Sequence, residues 1–140
     1  MSVRTRLGMF GACAVAAMGL TVGMAGPASA ANVSIQVFSA SGLLLGNGGF
    51  TVGADGGTVW AEDNYCDGDN GIIVEASVRR DGVYRVSGLA SVRGCGSINR
   101  NNLADNNPRP VWGEEMRIRA CGITADGTWK HCRTTYTTNN

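Results

Sequence analysis

Apolar and polar residues alternate with period two through much of the chain beyond residue 30. Val33-Ser-Ile-Gln-Val37 sets Val33, Ile35 and Val37 on one face, the pattern of a half-buried strand. Leu43 to Val52 is a second extended piece, interrupted between Gly46 and Gly49, where the glycines predict a bulge or bend. Their spacing resembles a phosphate cradle only superficially, because no helix follows. Thr58-Val-Trp-Ala61 is a third strand, and Ile72 to Val78 a fourth, with Ile72, Val74, Ala76 and Val78 on one face. Val83 to Val86 returns the chain, and Ser87 to Arg93 either continues that strand or steps to another sheet. Asn99 to Pro110 reads as a polar loop, in which Pro108 and Pro110 remove two backbone donors. Met116 to Tyr136 is a closing hairpin, and Thr137 to Asn140 a polar tail.

Two Asp-Gly pairs set the expected registers. If Asp126-Gly127 is the whole loop of the closing hairpin, a primed turn brings Cys121 directly opposite Cys132. At Asp81-Gly82 a two-residue turn would set apolar Val78 opposite Arg85. A three-residue loop with left-handed Gly82 sets Val78 opposite Tyr84 and Ala76 opposite Val86. The hydrophobic pattern therefore favours the three-residue loop.

About seven short strands, Gly- and Asn-rich turns and no helix of ordinary length predict an all-β domain. The expected architecture is a small Greek-key, immunoglobulin-like β-sandwich, with a small β-barrel as the alternative. The first thirty residues are excluded from it. Arg4 and Arg6 precede the apolar run Leu7 to Gly26, and Pro27 and the box Ala28-Ser29-Ala30 follow, the layout of a cleaved signal peptide. The run is rich in Gly and Ala, which disfavours a retained anchor. Residues 31–140 then form one domain, expected to be secreted.

Arg4 and Arg6 are two of the twelve Lys+Arg residues, and none of the eleven Asp+Glu precedes residue 31. The exported chain is nearly neutral, so neither nucleic acid nor an anionic membrane is an expected partner. Cys13 leaves with the signal. Cys66, Cys95, Cys121 and Cys132 remain, and four cysteines in a small exported chain predict two disulfides. The hairpin selects Cys121–Cys132, which leaves Cys66–Cys95. Zinc is not expected, since there is no C-x-x-C pair and His131 is the sole histidine.

The acidic loop Glu62 to Gly71 offers Asp63, Asp67 and Asp69 as oxygen ligands for Ca²⁺. It departs from the EF-hand template, because Tyr65 stands where a ligand is wanted and Glu75 falls one place late. The expectation is a solvated turn without metal. No catalytic residues are singled out: His131 adjoins a cysteine expected to be oxidised, and no carboxylate pair has a telling spacing. Trp60, Trp112 and Trp129 could stack on sugars, although aromatics also fill small cores. At least one Trp is expected in the core, with Trp112 and Trp129 at the surface. Arg109, in the stiff segment Asn106-Asn-Pro-Arg-Pro-Val111, could enter a partner's pocket.

The stretch Asp63 to Gly71 with Ile72 to Val78, and Glu114-Glu-Met-Arg-Ile-Arg-Ala-Cys121 with His131-Cys132, resembles a broad group of small secreted actinobacterial (Streptomyces-type) proteins of unknown function. An acidic turn before a valine-rich strand and a late Arg-Ala-Cys strand closed by another Cys recur there. The resemblance implies secretion and a disulfide-stapled β domain, and brings no catalytic residues. The expected function is a secreted, non-catalytic binding or interaction module, extracellular or cell-wall associated, without cofactors. Its partner would be an extracellular protein or polysaccharide. The alternative is a secreted inhibitor or antagonist of a foreign enzyme or competitor cell.

Overall fold

The computed structural model describes residues 32–140, so the expected signal peptide lies outside the described residues. Eight strands run in chain order: β1 (Val33–Phe38), β2 (Leu44–Thr51), β3 (Thr58–Asp63), β4 (Gly71–Arg80), β5 (Val83–Arg93), β6 (Ser97–Asn102), β7 (Glu115–Ile123) and β8 (Trp129–Thr138). They form two four-stranded antiparallel sheets, ordered β1-β2-β3-β6 and β5-β4-β7-β8, which do not close into a barrel. The core between them holds Val37, Phe50, Val59, Ile72, Val74, Val78, Met116 and Ile118, all fully buried. These are the alternating positions of their strands, so one face of each sheet supplies the hydrophobic burial that stabilises the fold.

The glycines of β2 do not interrupt it. Gly46 and Gly48 lie on the inner face, where a Cβ would fall 2.5 Å from Ile72 Cγ1 and 2.1 Å from Val74 Cγ2. They let the opposite sheet approach closely. The bulge lies next to them at Leu45, where the β1 ladder slips between Val37 and Phe38.

Both Asp-Gly registers differ from expectation, in opposite senses. Asp81 and Gly82 both have positive φ, 53° and 77°, and form a two-residue primed turn that pairs Arg80 with Val83. Val78 does face Arg85, and the mismatch is corrected further along by a bulge at Ser87. Beyond it Ala76 pairs with Gly88 and Val74 with buried Ala90. In the turn of the closing hairpin only Gly127 has positive φ. Thr124 N–H donates to Thr128 C=O (3.0 Å), so the loop is Ala125-Asp126-Gly127. The Asp126 carboxylate accepts from Thr128 N–H (3.0 Å) and from the Thr124 hydroxyl, which favours the longer loop. A second irregularity, with His131 at φ 55°, then restores the register past Ala120 and brings Cys121 and Cys132 together with Cα atoms 4.1 Å apart.

Residues Asn99 to Asn102, expected in a loop, belong to β6, which pairs with β3. On β6, Asn99 and Asn101 share the inner face with Ala61 and Val59. Their amides reach across to β5, where Asn99 Nδ2 donates to Ser91 C=O (2.8 Å) and Asn101 Nδ2 to Leu89 C=O (3.0 Å). Asn106 Nδ2 donates to Ser87 C=O (2.6 Å). Alternate carbonyls of the β5 edge are thereby covered by side chains rather than by another strand. The C-terminal segment is also more ordered than a tail: Thr137 and Thr138 end β8, and buried Asn139 accepts from Gly53 N–H (3.1 Å) and Gly113 N–H (2.6 Å).

The disulfides tie different parts of the fold. Cys66–Cys95 links the β3–β4 crossover to the β5–β6 crossover, and Cys121–Cys132 staples β7 to β8. Restricting the unfolded chain in this way stabilises a domain with a modest core.

Candidate functional site

The outer faces of the two sheets differ in how far their polar groups are already engaged. On the β5-β4-β7-β8 sheet, Arg79 pairs with Glu115 (2.9 Å) and Arg117 with Glu75 (3.1 Å). The Arg117 guanidinium stacks 4.8 Å from the Tyr84 ring centroid, and the Tyr84 hydroxyl donates to Glu115. That hydrogen bond, followed by the one from Arg79, holds the Glu115 carboxyl below its usual range. Desolvation and then the Glu115 hydrogen bond push the Tyr84 phenol up. Most charged groups of this face are thus engaged with one another, although Arg117 Nε is buried without a partner among the described residues.

The outer face of the β1-β2-β3-β6 sheet is different. The register aligns Gln36 with Asn47, Asn47 with Glu62 and Glu62 with Ile98, and in the next row Ser34 with Gly49, Gly49 with Trp60 and Trp60 with Arg100. Gly49 leaves a floor on which the half-buried Trp60 indole lies, with a Cβ at Gly49 only 3.0 Å from Trp60 Cζ2. Two grooves, about 810 and 380 Å³, flank that indole and share Ser34, Trp60 and Glu62. The larger runs past Gln36 and Asn47 to Arg133 and Thr134 of β8, the smaller to Ile98 and Arg100 of β6. Together they form one trough across the strands, about 14 Å from β6 to β1 at about 4.8 Å per strand. Asn47 Nδ2 donates to Glu62 (3.3 Å) and Asn64 (3.0 Å), but the side chains of Ser34, Gln36 and Arg100 make no hydrogen bond or ion pair with any described residue. The trough thus combines one aromatic surface with unengaged amide, hydroxyl and guanidinium groups.

The residues singled out in the sequence are dispersed. Trp112 (66% exposed) and Arg109 lie in the loop before β7, at the end of the sandwich that carries the Asp81-Gly82 turn. Arg80 holds this loop through the Arg109 carbonyl (2.7 Å) and Glu114 (2.8 Å), and Glu114 also accepts from Val111 N–H (2.8 Å). The Arg80 hydrogen bond keeps the Glu114 carboxyl below its ordinary range. Trp129 lies at the opposite end, with Arg119 over its ring at 5.6 Å. None of the three tryptophans is in the core, so the expectation of a buried one fails; the core is filled by aliphatic side chains, Phe50 and Met116.

Asp63, Asp67 and Asp69 do not converge on a metal site, and among the described residues no group of three or more His, Cys, Asp or Glu does. Asp63 is buried and its oxygens accept from Tyr65 N–H (3.1 Å) and Gly94 N–H (2.9 Å), so it organises the loop. The trough residues Ser34, Gln36, Asn47 and Glu62 escaped the sequence reading, although their alternation with the core residues of β1 and β3 marked them as one outer face.

No protein-family model and no curated protein matches the chain. Among solved structures it is similar to an endonuclease/exonuclease/phosphatase from Beutenbergia cavernae DSM 12333, at 23% identity and a TM-score of 0.47, over 76% of this chain and 26% of that one. The chain spans about a quarter of that protein's length, and the likeness informs neither ligand nor activity.

Proposed function

We propose that this protein is a secreted, non-catalytic module that binds an extended polysaccharide, outside the cell or on its wall, along the trough over Trp60. The observation that carries the reading is the Trp60 indole lying on Gly49 between two grooves that also present Ser34, Gln36 and Arg100, whose side chains bond to no described residue. The C–H face of a sugar ring packs on an aromatic surface, and its hydroxyls take hydrogen bonds from amide, hydroxyl and guanidinium groups beside it. A trough that crosses several strands suits a polymer better than a single ring. Export is supported by the Met1 to Ala30 pattern and by two disulfides in a small domain. An immunoglobulin-like Greek key is supported by the β5-β4-β7-β8 order and by three connections that cross between the sheets. Depletion of the oxidised protein from solution by insoluble cellulose, chitin or peptidoglycan tests the reading. Saturable depletion by at least one is expected, and none by any of the three would overturn it.

A second reading, an inhibitor of a foreign enzyme, is favoured by the 109–114 loop, which Arg80 and Glu114 hold rigid while Trp112 stays exposed. Assay against a panel of proteases and glycosidases tests it, and no inhibition at micromolar protein removes it.

A further inference from the structure

We infer that the pocket at the disulfide-bonded end of the sandwich binds a small zwitterion, an α-amino acid with an apolar side chain. The cavity, about 270 Å³, lies between the acidic loop and the turn end of the closing hairpin, with Ser39 and Leu45 at its side. Its loop wall carries Asp67 and Asn70, and its hairpin wall carries Lys130 and His131. The two walls therefore bear opposite charge. Leu45 and Ile123 add an apolar strip, with Gly71 and Gly122 leaving room between them.

Each wall is fixed independently. Cys66 ties the loop to Cys95, and Asp63 ties it to Gly94 through its carboxylate (2.9 Å). Cys121–Cys132 holds the hairpin beside the irregularity at His131. His131 adopts a left-handed φ of 55°, a conformation that costs free energy for a non-glycine residue and recurs where a side chain is re-aimed at a functional site. Asp67 accepts from Asn70 Nδ2 (3.0 Å) through one oxygen and keeps the other open. The side chains of Lys130, His131 and Tyr65 make no hydrogen bond to any described residue, though Lys130 is near enough to Asp126 to act on its charge. An ammonium group on the ligand meets Asp67, its carboxylate meets Lys130 and His131, and its side chain covers Leu45 and Ile123. A ligand with only one charge leaves the other wall unpaired, which costs affinity.

Titration of the oxidised protein, followed by amide NMR shifts, tests this with L-valine, isobutyrate and isobutylamine at constant ionic strength. L-valine is expected to saturate with a Kd of about 1 mM or tighter, with shifts at Tyr65, Asn70, Gly122 and His131. Isobutyrate and isobutylamine are expected to bind at least about tenfold more weakly. Lys130→Met and Asp67→Asn should each abolish the preference for L-valine, and Trp60→Ala should leave it unchanged, which separates this site from the trough. No saturation by L-valine, or equal binding of either singly charged analogue, would overturn the proposal.

Discussion

Gly48→Ala tests the claim that the two sheets meet through the glycines of β2. The new Cβ would lie 2.1 Å from Val74 Cγ2, where ordinary contact begins near 3.4 Å, and 3.1 Å from the Trp60 carbonyl. A gap of more than 1 Å must open between sheets whose facing side chains are fully buried. Val74 cannot relieve it by rotating, because a β-branched side chain in a packed core has few χ1 choices. The expected cost is about 1–3 kcal/mol, reduced slightly by the lower chain entropy of alanine in the unfolded state. Val74→Ala alone removes two buried methyl groups and should cost about 2–3 kcal/mol. Combined, the two substitutions should be less damaging than their sum, because Val74→Ala removes Cγ2 and leaves Val74 Cβ at an acceptable 3.5 Å. Urea denaturation of the four oxidised proteins, compared as a double-mutant cycle, measures this coupling, expected at about 1–3 kcal/mol. Additivity within about 0.5 kcal/mol would refute the argument that Gly48 exists to receive Val74.

Three further outcomes follow from other contacts. Asn101→Ala removes the amide that covers the Leu89 carbonyl, and should cost about 0.5–1.5 kcal/mol in urea denaturation. Asn101→Asp should cost more, since it sets an acceptor against an acceptor. Replacing both cysteines of Cys66–Cys95 by serine should destabilise more than the same change at Cys121–Cys132, by about 3.6 against about 2.8 kcal/mol on the loop-entropy relation, because the separations are 29 and 11 residues. Equal losses would mean that the smaller loop contributes through native packing instead. The Thr124 hydroxyl, and then the Thr128 N–H, lower the Asp126 pKa from 3.8 to about 2. A depressed carboxyl stabilises the fold above its unfolded pKa and ceases to do so as pH falls through its folded value. The stability gap between the parent protein and Asp126→Ala should therefore be full above pH 4 and narrow towards pH 2. A gap that stays constant over that range would contradict the carboxylate's role.

The alternating strands β1, β3 and β4 were legible because each buries one clean set of apolar positions. Strand β6 was not, since Ser97-Ile-Asn-Arg-Asn-Asn102 has no apolar period; it is held by its ladder to β3 and by asparagine amides that bond β5 across the gap. The two Asp-Gly turns could not be told apart from the dipeptide. Thr124 and Thr128 flank one loop and bond Asp126, which lengthens it, whereas Asp81 has only a surface contact to Arg85 at 3.7 Å. The hydrophobic register failed as a guide at Val78, which faces Arg85; only beyond the bulge at Ser87 does an apolar pairing, Val74 with Ala90, return. The trough was hidden because Trp60 could be read as core or surface until the sheet order set Gly49 beneath it.

Polysaccharide binding along the trough depends on a sugar ring stacking on Trp60. Affinity electrophoresis through native gels that contain soluble β-glucan, glycol chitin or carboxymethyl cellulose tests it most directly. Trp60→Ala should lose retention by about tenfold or more in apparent Kd, while Trp112→Ala, outside the trough, keeps it. Retention of Trp60→Ala equal to that of the unaltered protein, or loss only in Trp112→Ala, would contradict the account.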